Sequence, residues 1–235
     1  MAQQLSLPVQ LPDGETFEQF VVGNNQAIVS HLHGLLDGPE QGTHKPITYI
    51  SGERGRGKSH LLFALCHAAQ QQHLNPVYIG LEGFRDMDAG VLDGLEHFGL
   101  VCVDDVDAIG DDRDWQVALF DLINRVLEIK TCQIVLCGRQ QPNGLTLQLE
   151  DLRSRLTWGM GFQLQELSDD EKVDALQCRA DARGMMVSAD VARFLLAHVK
   201  RDMPSLMAVL DTLDDASLQE QRRLTIPFIK RVLAI

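Results

Sequence analysis

Apolar positions recur along this chain at two spacings, and the alternation between them predicts its layout. From Asn24 to Leu36, residues Ala27, Ile28, Leu32, Leu35 and Leu36 follow a helical period. The stretch DGPEQGTHKP, residues 37–46, breaks that helix into a loop. Short β-rich runs follow at ITYIS (47–51), PVYIGL (76–81), GLVCVDD (99–105), CQIVLCG (132–138) and GFQLQ (161–165). Between them lie the helical segment SHLLFALCHAAQQQ (59–72) and a long helix from Arg113 to Ile129. Strands alternating with helices predict βαβ units and a mostly parallel, five-stranded sheet.

After Leu167 the strand pattern stops. In SDDEK, Ser168 can accept from the Glu171 amide and Glu171 can reach back, which is a capping box. That helix runs to Arg183, and Gly184 ends it. Ser188 caps a second helix to about Lys200, Pro204–Gln219 forms a third, and Thr225 caps a short last one. The organisation predicted is an N-terminal peptide (1–14), an α/β domain (15–166) and a small all-α domain (167–235). The peptide contains QLSLP. Leu5 and Leu7 would leave one side of an extended strand, and Pro8 opposes a helix there.

Composition narrows the function classes. Of 235 residues 45% are hydrophobic and 23% charged, enough for a sizeable core. Lys and Arg number 21 against 33 Asp and Glu, a net charge of −12. That balance opposes broad binding to duplex phosphates, although a local basic patch stays open. Five cysteines without a C-x-x-C pair suggest reduced, buried thiols in a cytoplasmic protein, and no zinc is expected. The start has neither the basic region nor the apolar core of a secretory signal, and no run reaches the length of a membrane span.

The chemistry is carried first by GERGRGKS, Gly52–Ser59, which fits G-x-x-x-x-G-K-[ST] between a strand and a helix. Its glycines let backbone amides turn toward phosphate oxygens. Lys58 can reach the β- and γ-phosphates, and Ser59 can ligate Mg²⁺. The candidate nucleotide-binding set is Gly52, Gly55, Arg56, Gly57, Lys58, Ser59 and His60, with the Arg56 side chain turned to solvent or a partner. LVCVDD supplies the second half: Asp104 ends an apolar strand and can hold the Mg²⁺ shell. Asp105 can orient an attacking water, but it is one methylene shorter than Glu, so slow hydrolysis is expected. The alternative for the pair is a strand-end turn of solvated acids.

Together GERGRGKS, LVCVDDVDAI, QIVLCG and LRSRLTWG resemble the AAA+ ATPases of the DnaA initiator branch, over nearly the whole chain. The resemblance implies an AAA+ P-loop domain followed by an α-helical lid. ETFEQFVVGNNQAI is similar to the segment that packs around adenine in that family, which implicates Val21, Val22 and Asn24. QLSLP is similar to the pentapeptide that docks on the bacterial sliding clamp, which implicates Gln4, Leu5, Ser6, Leu7 and Pro8; the alternative is a strand folded on its own body. In the family an arginine of the LRSRLTWG region enters a neighbouring subunit's nucleotide site. Arg155 is the first choice for that role and Arg153 the second; the alternative is a surface arginine paired with Glu150 or Asp151.

Two positions depart from the family pattern. Arg139 and Gln140 follow VLCG where a small polar residue is usual, and Pro204 stands where an arginine faces the γ-phosphate. Arg201 is about one helical turn out of register. The departures favour bound ADP over ATP as the resting state. The resemblance thus implies a nucleotide-bound regulator of replication initiation. It would dock on the DNA-loaded sliding clamp and promote hydrolysis of the ATP held by the DnaA initiator. It would not bind DNA sequence-specifically or enter a membrane, would sit at the nucleoid through the clamp, and could form a homo-oligomer. The competing readings are an autonomous AAA+ ATPase that remodels or loads another replication protein, and a nucleotide-sensing nucleic-acid module.

Overall fold

The computed structural model describes Pro12, residues 14–37, 46–84 and 87–235. The peptide Gln4–Pro8 and most of the loop at 37–46 lie outside the described residues. These residues form two compact units. The first is Ala27–Leu164 with the described part of Met1–Phe17; the second is Glu18–Gln26 with Gln165–Ile235.

The first unit is built on five parallel strands: β1 (Ile47–Ser51), β2 (Pro76–Gly80), β3 (Leu100–Asp104), β4 (Gln133–Gly138) and β5 (Met160–Gln163). Their order across the sheet is β2-β3-β4-β1-β5. Every residue of β1, β3 and β4 is buried, as expected of a parallel sheet covered on both faces. The helices of this unit are α1 (Gln26–Leu36), α2 (Lys58–Gln71), α3 (Leu81–Phe84), α4 (Arg113–Ile129) and α5 (Glu150–Trp158). Amphipathic α4 puts Trp115, Leu119, Leu122, Ile123 and Val126 into the main core, and Asp112 caps its start. Four of the cysteines are buried and Cys178 is half-buried; all five are free thiols. Burial pushes the Cys132 thiol up to about 12.

The second unit holds α6 (Asp169–Ala182), α7 (Ala189–His198), α8 (Met203–Glu220) and α9 (Ile226–Leu233). Their core includes Leu176, Ala192, Leu206, Leu210, Leu213 and Ile229. The capping box is present: the Glu171 amide donates to Ser168 Oγ at 3.3 Å, and the Ser168 amide donates to Glu171 Oε2 at 2.6 Å. Pro204 occupies the first turn of α8, where its missing N–H costs nothing, and Asp202 caps that turn.

The helix expected from Asn24 starts two residues later, after a 3-10 turn over Gly23–Asn25. Gly23 has φ +50, and Asn25 is committed elsewhere. Its Oδ1 accepts from the Gln165 amide at 2.7 Å and its Nδ2 donates to the Gln165 carbonyl at 3.3 Å. The side chain thus ties the Gly23–Asn25 turn to the backbone of Gln165, and both lie in the second unit. Among the described residues no helix is long and apolar enough to cross a membrane.

Candidate functional site

The carboxyl ends of β1, β3 and β4 form the edge where an open α/β sheet binds ligands. The ladder continues past β1, since the Gly52 amide donates to the Gly138 carbonyl at 3.1 Å. The chain then turns through Glu53–Gly57 with positive φ at Gly55 (+80) and Gly57 (+97), conformations that suit glycine. The first helical bond of α2 runs from the Leu61 amide to the Gly57 carbonyl at 3.0 Å. The Lys58 and Ser59 amides precede it, so they belong to the helix end whose donors await an acceptor. Lys58 is buried, and its ammonium donates to the carbonyls of Gly52 (2.7 Å) and Glu53 (3.1 Å). The loop thus holds its own lysine ready beside the amides, and Ser59 is exposed at the same turn. This donor set fits a polyphosphate.

Arg56 and His60 have partners within the unit. Arg56 is not turned to solvent: its guanidinium pairs with Glu53 at 2.9 Å, and its side chain is only 20% exposed. His60 donates from Nε2 to the Thr16 carbonyl at 2.9 Å.

Asp104 ends β3 with no exposure at all. Its carboxylate accepts from the Tyr78 hydroxyl at 3.2 Å and from the Asp105 amide at 2.9 Å. Those bonds orient the carboxylate and use two of its roughly four lone-pair directions, leaving acceptor capacity for a cation. Burial and the neighbouring Asp104 raise the Tyr78 pKa, so the phenol stays a donor. Tyr78 is a site residue that the sequence reading missed. It pairs with Cys102, one repeat before Asp104 on the same face, and that proximity depends on the β2–β3 register.

Asp105 adopts φ 54, ψ 45, a left-handed conformation that costs energy for a residue with a Cβ. Burial raises its pKa, and the negative charges of Asp104, Glu82 and Asp107 add to the rise; Lys58 opposes it. The folded protein therefore holds this proton more tightly than the unfolded chain does. The resulting stability is complete below the ordinary carboxylate range and is lost as pH rises through the raised value. Asp105→Asn removes the charge and tolerates the left-handed backbone. Its melting midpoint at pH 7 is expected to exceed that of the wild type, with the gap narrowing toward about pH 4. Thermal melts of both proteins across that range measure this.

At the end of β4 a Cβ on Gly138 would overlap the Tyr49 hydroxyl, which donates to the Gln140 carbonyl at 2.9 Å. Arg139, at the departure from the family pattern, is held by Asp107. Its amide donates to Oδ1 at 2.7 Å and its Nε lies 3.0 Å from Oδ2.

The two arginines of α5 differ. Arg153 donates to the carbonyls of Leu145 (3.1 Å), Leu147 (2.9 Å) and Asn143 (3.4 Å), and its Nε lies 3.2 Å from Glu150. It clamps the loop that precedes its own helix. Arg155, half-buried, forms no ion pair among the described residues and lies against the Trp158 ring. The alternative pairing with Glu150 thus applies to Arg153.

The remaining candidates belong to the helical unit. Val21 and Val22 are half-buried and Asn24 is exposed. Arg201 pairs with Asp169 at 3.2 Å.

The model of the bacterial DnaA ATPase domain matches residues 11–163, and that of the Hda lid domain matches 169–233. Domain III of the Thermotoga maritima replication initiation protein DnaA superposes with a TM-score of 0.81 at 21% identity, over 95% of this chain and 97% of that one. AMPPCP-bound DnaA from Aquifex aeolicus gives 0.71 at 21% identity, over 87% and 66%. The RuvB Holliday junction branch migration motor of Thermotoga maritima gives 0.67 at 16% identity, over 95% and 72%. At these identities the structural likeness is one of fold, and the family follows from the sequence model, which spans more than half the chain. The chain belongs to the bacterial DnaA ATPase-domain family of AAA+ proteins and carries a lid of the Hda type.

Proposed function

We propose that this protein is a nucleotide-bound regulator of replication initiation that acts on a triphosphate held by another molecule. The P-loop amides and Lys58 bind the phosphates, and Ser59 and Asp104 would hold Mg²⁺. Bound Mg²⁺ supplies charge neutralisation at the phosphates. The nucleotide is ADP in preference to ATP. Arg139, which stands where the resembled family usually has a small polar residue, is engaged by Asp107, and Pro204 stands where that family usually has an arginine facing the γ-phosphate.

The partner is ATP-bound DnaA, met through an AAA+ surface, and Arg155 enters its nucleotide site. The observation that supports this choice is the contrast within α5. Arg153 is consumed by loop carbonyls, whereas Arg155 keeps its charge uncompensated among the described residues. A guanidinium set on developing phosphoryl charge accelerates transfer by about 10³–10⁵. The peptide Gln4-Leu5-Ser6-Leu7-Pro8 docks on the sliding clamp, which brings an acidic protein to DNA without a basic face. Each docking is weak, and the repeated sites of a ring add avidity.

The test replaces Gln4 and Leu5 with alanine. Clamp-dependent hydrolysis of DnaA-bound ATP is expected to fall at least about tenfold, as anchor loss and avidity loss combine. Undiminished hydrolysis in the presence of DNA-loaded clamp contradicts the docking role.

A further inference from the structure

Arg155 lies against aromatic rings rather than against an acid. Its guanidinium carbon lies 4.7 Å from the Trp158 ring centroid and 6.0 Å from that of Phe120 on α4. Trp158 follows three residues later on the same helix, so the two side chains are neighbours on its surface. The indole is 61% exposed, whereas the chain's other tryptophan, Trp115, is 4% exposed in the core. Core packing therefore does not explain an indole at position 158.

The chemistry of the contact does. A carboxylate would also hold an arginine, but it would neutralise the charge and occupy the in-plane N–H donors. An aromatic face binds the flat side of the guanidinium and leaves those donors available to a second planar or tetrahedral anion. Arg153 shows the opposite arrangement, its donors being taken by backbone carbonyls. The geometry points to Trp158 as a positioning residue for Arg155: its ring limits the rotamers of the long side chain and presents a charged guanidinium whose hydrogen bonds are unspent. We infer that Trp158 sets the rate at which Arg155 acts, and this rests on the reading of Arg155 as the cation lent to the initiator's triphosphate.

The experiment uses the full chain with DNA-loaded clamp and ATP-bound DnaA, and compares wild type, Arg155→Ala, Trp158→Leu and Trp158→Phe. Trp158→Leu keeps an apolar surface but has no ring. It is expected to lower the rate at saturating DnaA about fivefold, with the half-saturating concentration unchanged. Trp158→Phe restores a ring face and returns most of the rate. Because Trp158 is exposed, melting midpoints should match and confirm that folding is intact. A partner-free readout accompanies these rates: acrylamide quenching of tryptophan fluorescence should rise in Arg155→Ala, as the guanidinium no longer covers the exposed indole.

A Trp158→Leu rate equal to wild type, or a loss confined to the half-saturating concentration, overturns the positioning role while Arg155→Ala remains inactive. Unchanged quenching in Arg155→Ala also overturns it. Full activity of Arg155→Ala instead overturns the reading of Arg155, and the positioning role with it.

Discussion

Arg155→Ala is expected to lower the hydrolysis of DnaA-bound ATP by about 10³-fold in the presence of clamp on DNA, the lower end of the range for a guanidinium supplied in trans. The expectation follows from charge. Negative charge on the transferring group spreads over its oxygens as the bond to the leaving phosphate lengthens, and a preorganised cation with unused donors stabilises that state more than the ground state. Arg155 meets the requirement because it lies on an aromatic face and not on an acid. Arg155→Lys retains charge but loses the planar fork, and recovery should be partial at best. Arg153→Ala should behave differently: it releases the carbonyls of Leu145 and Leu147 and loosens the loop before α5, so its first effect is on the melting midpoint. Rates measured under single turnover with ATP prebound to DnaA separate the two. Equal rates for wild type and Arg155→Ala contradict the assignment.

Lys58→Ala is expected to abolish retention of ADP by this chain, weakening binding by about 10²-fold or more through the loss of charged hydrogen bonds to phosphate. The ammonium now bonds to two carbonyls of its own loop at 2.7 and 3.1 Å, so a phosphate oxygen replaces partners already within reach. Thermal melts with and without ADP measure the effect. A ligand at about 100 times its dissociation constant stabilises the folded state by ~2.7 kcal/mol, and this increment should appear in wild type and fall to about 0.4 kcal/mol or less in Lys58→Ala at the same ADP concentration. The same variant separates the two enzymatic readings. In an autonomous ATPase it would also eliminate substantial phosphate release by this chain alone. In the regulator, release by the wild type alone is already slow.

Most of the fold was legible because its signals are local. The alternation of β-rich runs with helical periods locates all five strands, and the phosphate loop lies where strand passes to helix. Ser168 and Glu171 mark the start of α6 within one turn, and the structure has both of their reciprocal bonds. What escaped depended on distant partners. Asn25 meets the backbone of Gln165, 140 positions away, within the helical unit. Tyr78 meets Asp104 only through the β2–β3 register. The difference between Arg153 and Arg155 was partly readable. Two residues apart on a helix, they leave on nearly opposite sides, and the ring at i+3 from Arg155 is in the sequence. Which side faced loop carbonyls was not, since those carbonyls have no sequence signature.

The most direct test follows a single labelled ATP bound to DnaA while this chain carries unlabelled ADP, with DNA-loaded clamp present. Rapid conversion of the label to ADP is expected while it stays on DnaA, and little conversion when the added chain is Arg155→Ala. Conversion that proceeds equally with that variant, or that occurs only after the label has moved to this chain, contradicts the role of Arg155 in trans.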